Sequence, residues 1–180
     1  MSPEGRTRRL RHVVRNGRYV RVADPSWRRP LDPSFAAERG GRWNPPDSFP
    51  VVYLCADRDV ARAVVAVRFG GLPYGILDLL PDRLPMLVES DVAEHRALDV
   101  VTDAGCRAVG LPRTYPKDSR RRTIPWRRTQ PIGATAWSAG ERSIACRSAA
   151  LPAGEELAWF VRTRADRLRV AARVPFDSWF

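Results

Sequence analysis

The stretch from Pro25 to Pro50, "PSWRRPLDPSFAAERGGRWNPPDSFP", constrains this chain more than any other. It holds six of the sixteen prolines and two adjacent glycines. A proline supplies no backbone N–H and fixes its own φ, so no long helix or central strand survives at that density. The segment reads as a long ordered loop, and a loop of that length without periodicity is a place to look for function. The regular structure must therefore come from the flanks. "RYVRVAD" (18–24) has the β-branched and aromatic content of a strand. "VVYLCA" (51–56) is a continuous apolar run that suits a strand covered on both sides.

Asp57 then stands where an N-cap belongs, ahead of "RDVARAVVAVRF", whose Val60, Val64 and Val67 keep helical spacing. "GGLP" ends that helix. Further on, "YGILDLL", "PMLVES" and "LDVV" read as strands. "TIPWRRTQPIGATAWSAG" reads as helical after Pro131, closing at Gly140. "SIACRS", "EELAWFVRT" and "DRLRVAARV" read as late strands. Strands dominate, no βαβ rhythm appears, and the pattern predicts an α+β fold. At 180 residues the chain fits one domain. The expected organisation is a basic N-terminal arm over 1–17 and one compact domain over 18–180.

No run approaches the ~18 apolar residues of a membrane span, and the basic N-terminus lacks the apolar segment of a secretory signal. The three cysteines, Cys55, Cys106 and Cys146, are odd in number and without metal-ligand spacing. Their apolar neighbours predict reduced, buried thiols and a cytoplasmic protein. The net charge of +11 invites a nucleic-acid reading. Only Lys117 among the 31 basic residues is a lysine, however, so the arginine excess has a compositional explanation. The clusters "RTRRLRHVVR" and "SRRRTIPWRR" read as solvated faces, as a surface for an acidic partner, or, as the weakest reading, as a nucleic-acid site.

Several residues can carry chemistry. The Arg42 guanidinium offers a planar fork of donors that fits a carboxylate or a diphosphate. Gly41 before it lets a ligand approach the backbone, Trp43 offers a stacking face, and Asn44 completes the candidate binding set. The alternative is an arginine that pairs within its own domain, beside a core tryptophan. Arg21 interrupts an apolar strand, sharing a face with Tyr19 and Ala23, and is either solvated or aimed into a cleft. Ser148, at the end of "SIACRS", can bind a substrate oxygen or cap a turn. No GxSxG motif, metal signature or phosphate loop is present, and His95 reads as a surface helix residue, so a Ser-His-Asp hydrolase has no support.

The order "YVRV", "GGRWNPP", "VVYLCAD", "QPIGATAWSAG", "IACRSAA", "ELAWF" resembles the RES-domain family, over about Tyr19 to Phe160. The resemblance implies a compact α+β fold related to ADP-ribosyltransferases. It also implies a toxin of a bacterial toxin–antitoxin pair, which degrades NAD⁺ by cleaving the nicotinamide–ribose bond with phosphate or water as acceptor. NAD⁺ is then a substrate and no cofactor is implied. Arg21 resembles the family's first arginine, Arg42 the arginine of its GGRW motif, Tyr53 the strand tyrosine, and Ser148 the named serine. These four are the implied catalytic residues, and Arg21 and Arg42 would hold the diphosphate.

One position departs from the family. Its glutamate lies on the helix after the tyrosine strand, and here that place falls on Val64. A carboxylate is wanted beside the positively charged ribose that N-glycosidic cleavage leaves. Asp57 stands ~10 Å back along the helix, while Glu89, Glu155 or Glu156 could enter from another element. An enzyme is implied if one does. The alternative is a RES-like nucleotide- or partner-binding module without turnover.

Overall fold

A computed structural model describes residues 10–180. Its core is a ring of strands. β1 (His12–Ala23), β2 (Val51–Cys55), β5 (Glu155–Phe160), β4 (Ser143–Arg147) and β3 (Met86–Val100) follow one another in that order, and β3 returns to pair with β1. A short β6 (Ala172–Val174) adds to β3. Every pairing is antiparallel except β3 with β4. Four helices pack outside: α1 (Ser34–Arg39), α2 (Arg58–Phe69), α3 (Asp103–Ala108) and α4 (Trp126–Ser138). The α+β expectation holds. None of these helices is long and apolar enough to cross a membrane.

Strand alternation separates two surfaces. Val52 and Leu54 of β2, Leu157 and Trp159 of β5, Ala145 of β4 and Tyr19 and Ala23 of β1 share one apolar cluster, which takes in no residue of the four helices. That is the interior of the ring. The opposite phase of the same strands faces outward. Val51, Tyr53, Ile144, Cys146, Ala158 and Phe160 pack with Ala136 of α4 and Cys106 of α3. Cys55 and Val20 pack with Val60, Ala61 and Val65 of α2.

The β1–β2 seam is the weak point of the ring. It is paired only at Val20↔Cys55, whereas β1 and β3 pair from His12↔Leu98 to Ala23↔Met86. Residues 21–23 of β1 therefore have no ladder partner on β2, and the ring opens beside Arg21.

The structure moves several boundaries. Of the arm expected over 1–17, residues 1–9 lie outside the described residues, and the chain from His12 onward is strand. "PMLVES", "AEHRA" and "LDVV" form one strand, because β1 offers them a continuous partner and Arg18 pairs across it with Glu89 and Asp91 at 2.7 and 2.6 Å. His95 is consequently a buried strand residue and not a surface helical one. "YGILDLL" is no strand: the Asp78 carboxylate accepts from the Gly75 N–H at 2.7 Å and winds Ile76–Asp78 into a 3₁₀ turn. α4 begins at Trp126 with Pro131 inside it, and "DRLRVAARV" contributes only the short β6. Asp57 caps α2 as expected, accepting from the Val60 N–H at 2.9 Å. All three cysteines are buried and free.

Candidate functional site

The loop that carries Arg42 is held from both sides. The Gly41 N–H donates to the Asn44 carbonyl at 2.8 Å, which folds residues 41–44 into a tight turn. Gly41 lies flat against Tyr53 of β2, where an added Cβ would sit 2.5 Å from the phenol oxygen. That oxygen accepts from the Trp43 N–H at 2.9 Å and donates to Asn44 Oδ1 at 2.7 Å. From the far side, α4 supplies the Thr129 hydroxyl to the Arg42 carbonyl and Gln130 Nε2 to the Gly41 carbonyl, the latter at 3.0 Å. Gly133 lets the α4 backbone rest on the loop, since a Cβ there would fall 1.7 Å from the Trp43 carbonyl oxygen. The backbone of Arg42 is thus clamped while its side chain is not: Nη1 is buried and makes no hydrogen bond among the described residues.

Arg21 is the second such group. Its Nη1 is likewise buried without a partner. The guanidinium stands 5.7 Å from the Trp27 ring. Burial pushes its pKa down, against the opposing pull of Asp32 and Cys55. An unsatisfied buried donor costs ~1–3 kcal/mol, more when charged, so each needs a physical reason. Arg21 and Arg42 are thus two buried guanidinium donors without an acceptor among the described residues.

Between β2 and β4, one row of the outer wall completes the site. Cys55↔Glu156 and Cys146↔Glu156 are ladder partners, so the three side chains stand side by side across three strands. Ser148 continues the outward phase of β4, and its hydroxyl donates to Glu156 Oε1 at 2.6 Å. It also accepts from the Ala150 N–H at 3.1 Å, which bears out the turn-capping reading of the sequence. Tyr115 lies over the same wall with its hydroxyl buried and unpartnered. Burial pushes the Tyr115 and Cys146 acidities weaker still, Glu156 acts in the same direction, and Arg42 opposes it. Arg42 and Glu156 are therefore both close to this pair of side chains.

The predicted residues divide accordingly. Arg42, on the loop that Tyr53 holds, and Ser148 lie on the outer side of the ring, whereas Arg21 alternates with Tyr19 and Ala23 of the interior cluster and stands at the edge of the seam. Trp43 is corrected: it is 0% exposed and its Nε1 donates to Cys146 Sγ at 3.4 Å, so it is a core residue with no face to stack on a ligand. Asn44 is corrected too, since its amide is fully buried and hydrogen-bonded to the Ala36 carbonyl. Tyr53 holds the loop with its hydroxyl. Sequence reasoning missed Tyr115, Thr129 and Gln130, which carry no local signal. It could have separated Glu155 from Glu156, because adjacent strand residues face opposite ways. Glu155 turns to Arg15, at 2.5 and 2.7 Å, and only Glu156 turns to the wall. Among the described residues no cluster of His, Cys, Asp or Glu is arranged to hold a metal ion.

These features define a single α+β domain with two buried, unpartnered arginine nitrogens and a serine-held carboxylate. The RES-domain family model matches residues 12–178, and the chain belongs to that family. Among solved structures, the fold matches a chain of the crystal structure of the M. tuberculosis MbcT–MbcA toxin–antitoxin complex, with a TM-score of 0.73 and 24% sequence identity. That match covers 91% of this chain and 85% of the other. No curated protein matches.

Proposed function

We propose that this protein is an NAD⁺-degrading toxin that cleaves the nicotinamide–ribose bond by phosphorolysis or hydrolysis. The observation that carries the reading is the pair of buried, unpartnered guanidinium nitrogens of Arg21 and Arg42. A diphosphate has the charge and the several acceptor oxygens to satisfy both. In the reaction, the C1′–N bond breaks and its electron pair leaves with nicotinamide, which departs neutral. The ribose is left as an oxocarbenium-like cation, and a phosphate or water oxygen adds to C1′. Arg21 and Arg42 anchor the diphosphate, Gly41 keeps the Arg42 turn tight, and Tyr53 fixes that turn against β2.

A toxin of this kind is held in check by an antitoxin. The cluster at 120–128 supports an acidic partner surface: Arg120, Arg121, Arg127 and Arg128 are exposed beside Trp126 at the start of α4. A second reading keeps the binding and drops the turnover. It is favoured by Val64, which packs among the apolar residues around α2 and brings no charge to the site.

The test is incubation of the pure protein with NAD⁺, with and without phosphate, followed by NMR. Nicotinamide with ADP-ribose 1″-phosphate indicates phosphorolysis, and nicotinamide with ADP-ribose indicates hydrolysis. Saturable ADP-ribose binding with NAD⁺ left intact would select the second reading.

A further inference from the structure

We infer that Glu156, held by Ser148, is the carboxylate that stabilises the ribose cation, in place of a charge on α2. This rests on the NAD⁺ reading above.

Four observations point to it. The first is availability. Glu155 is taken by Arg15, Glu141 by His12 and Glu89 by Arg18 and Arg58. Glu156 has no cation within ion-pair distance among the described residues, and its Oε1 accepts one hydroxyl, from Ser148. The second is location. Glu156 stands in the ladder row between Cys55 and Cys146. Cys55 belongs to the cluster that Val64 of α2 packs against. Glu156 thus adjoins, through its ladder partner, the cluster that α2 covers.

The third is polarity. Glu156 and Arg42, of opposite charge, both lie near enough to Tyr115 and Cys146 to act on them. A ligand with an anionic middle and a cation developing at one end suits such a pair of charges. The diphosphate meets the guanidinium and the ribose C1′ meets the carboxylate. The fourth is rigidity. The Ser148 oxygen accepts from the Ala150 N–H at 3.1 Å and donates to Glu156, which fixes the orientation of one carboxylate oxygen and leaves Oε2 for the ligand. A fixed charge of this kind needs no reorganisation when the cation forms. Ser148 is then a positioning residue and Glu156 the group that touches the ribose.

The experiment compares wild type with Glu156→Gln, Ser148→Ala and Glu155→Gln, reading nicotinamide release from NAD⁺ and, separately, ADP-ribose binding. Gln keeps the side-chain length and an oxygen for the Ser148 hydroxyl, so the fold stays intact. The expected result for Glu156→Gln is a ~10²–10³-fold loss in kcat, by analogy with removing one preorganised electrostatic partner, with ADP-ribose affinity within a few-fold of wild type. Ser148→Ala loses part of kcat with little change in KM, because the carboxylate remains but is no longer oriented. Glu155→Gln stays close to wild type. An active wild type whose Glu156→Gln variant turns over at the same rate overturns this inference and leaves the NAD⁺ reading standing. A wild type that releases no nicotinamide contradicts the NAD⁺ reading itself, and this inference with it.

Discussion

At the scale of single residues, the buried polar groups sort into satisfied and unsatisfied ones. His95 belongs to the scaffold. Its ring hydrogen-bonds Ser143 Oγ at 2.7 Å and the Ala93 carbonyl at 2.9 Å, and it meets Trp159 edge to face with centroids 4.9 Å apart. Burial is the main reason its pKa is lowered, with the Arg142 charge adding to the effect and the hydrogen bond to the Ala93 carbonyl opposing it. The folded chain then resists a proton that the unfolded chain accepts at about pH 6.5. A base with a depressed folded pKa makes stability fall as pH drops below its unfolded value. Urea midpoints should therefore decline from about pH 6.5 downward, and His95→Gln should remove the part of that decline lying above the carboxylate range. An identical slope in the variant would show that His95 takes no part. Arg21 and Arg42 are the contrasting case: their unpartnered nitrogens have no scaffold partner to explain them.

At the scale of elements, the site depends on α4 lying directly on the Arg42 loop. Gly133→Ala places a methyl where the Trp43 carbonyl oxygen now sits, 1.7 Å away. Overpacking of ~3 kcal/mol is expected, which lowers Tm by roughly 6–12 °C in a chain of this size. An unchanged melting curve would mean that α4 does not seat on the loop as described. This contact also marks what the sequence could not tell. "VVYLC", "SIACR" and "EELAWF" were legible because apolar strands with clear turns announce themselves, and Asp57 announced the start of α2. The start of α4 was hidden by Pro131. Its missing N–H removes one hydrogen bond, and the contacts of Thr129, Gln130 and Gly133 with the loop offset the loss. The single long β3 was hidden because "AEHRA" is held extended by β1, a partner 75 or more residues away in the ladder. The arginines of the site were legible as residue types in unusual places. Their freedom from partners, and the choice of Glu156 over Glu155, depended on tertiary packing and strand phase.

At the scale of the whole molecule, the ring isolates its thiols. Cys55, Cys106 and Cys146 are buried and free, and burial pushes each thiol's pKa up. The native chain should react only slowly with an aromatic disulfide reagent and show three thiols in denaturant, counted by absorbance. Rapid native labelling would mean that the outer wall is open to solvent beneath Glu156. Part of the arginine complement is likewise paired within the chain. Arg18 and Arg58 serve Glu89, and Arg147 and Arg113 serve Asp103. Arg120, Arg121, Arg127 and Arg128 are exposed and make no ion pair among the described residues, whereas Arg122 pairs with Asp118.

The most direct test of the central claim, that this seam binds and breaks NAD⁺, is nicotinamide release by wild type and by Arg42→Ala. The account predicts release by wild type, lowered roughly 10–10²-fold in kcat/KM in the variant, as expected for losing charge-assisted hydrogen bonds to the diphosphate. Release that is equal in both proteins, or absent from both, would contradict it.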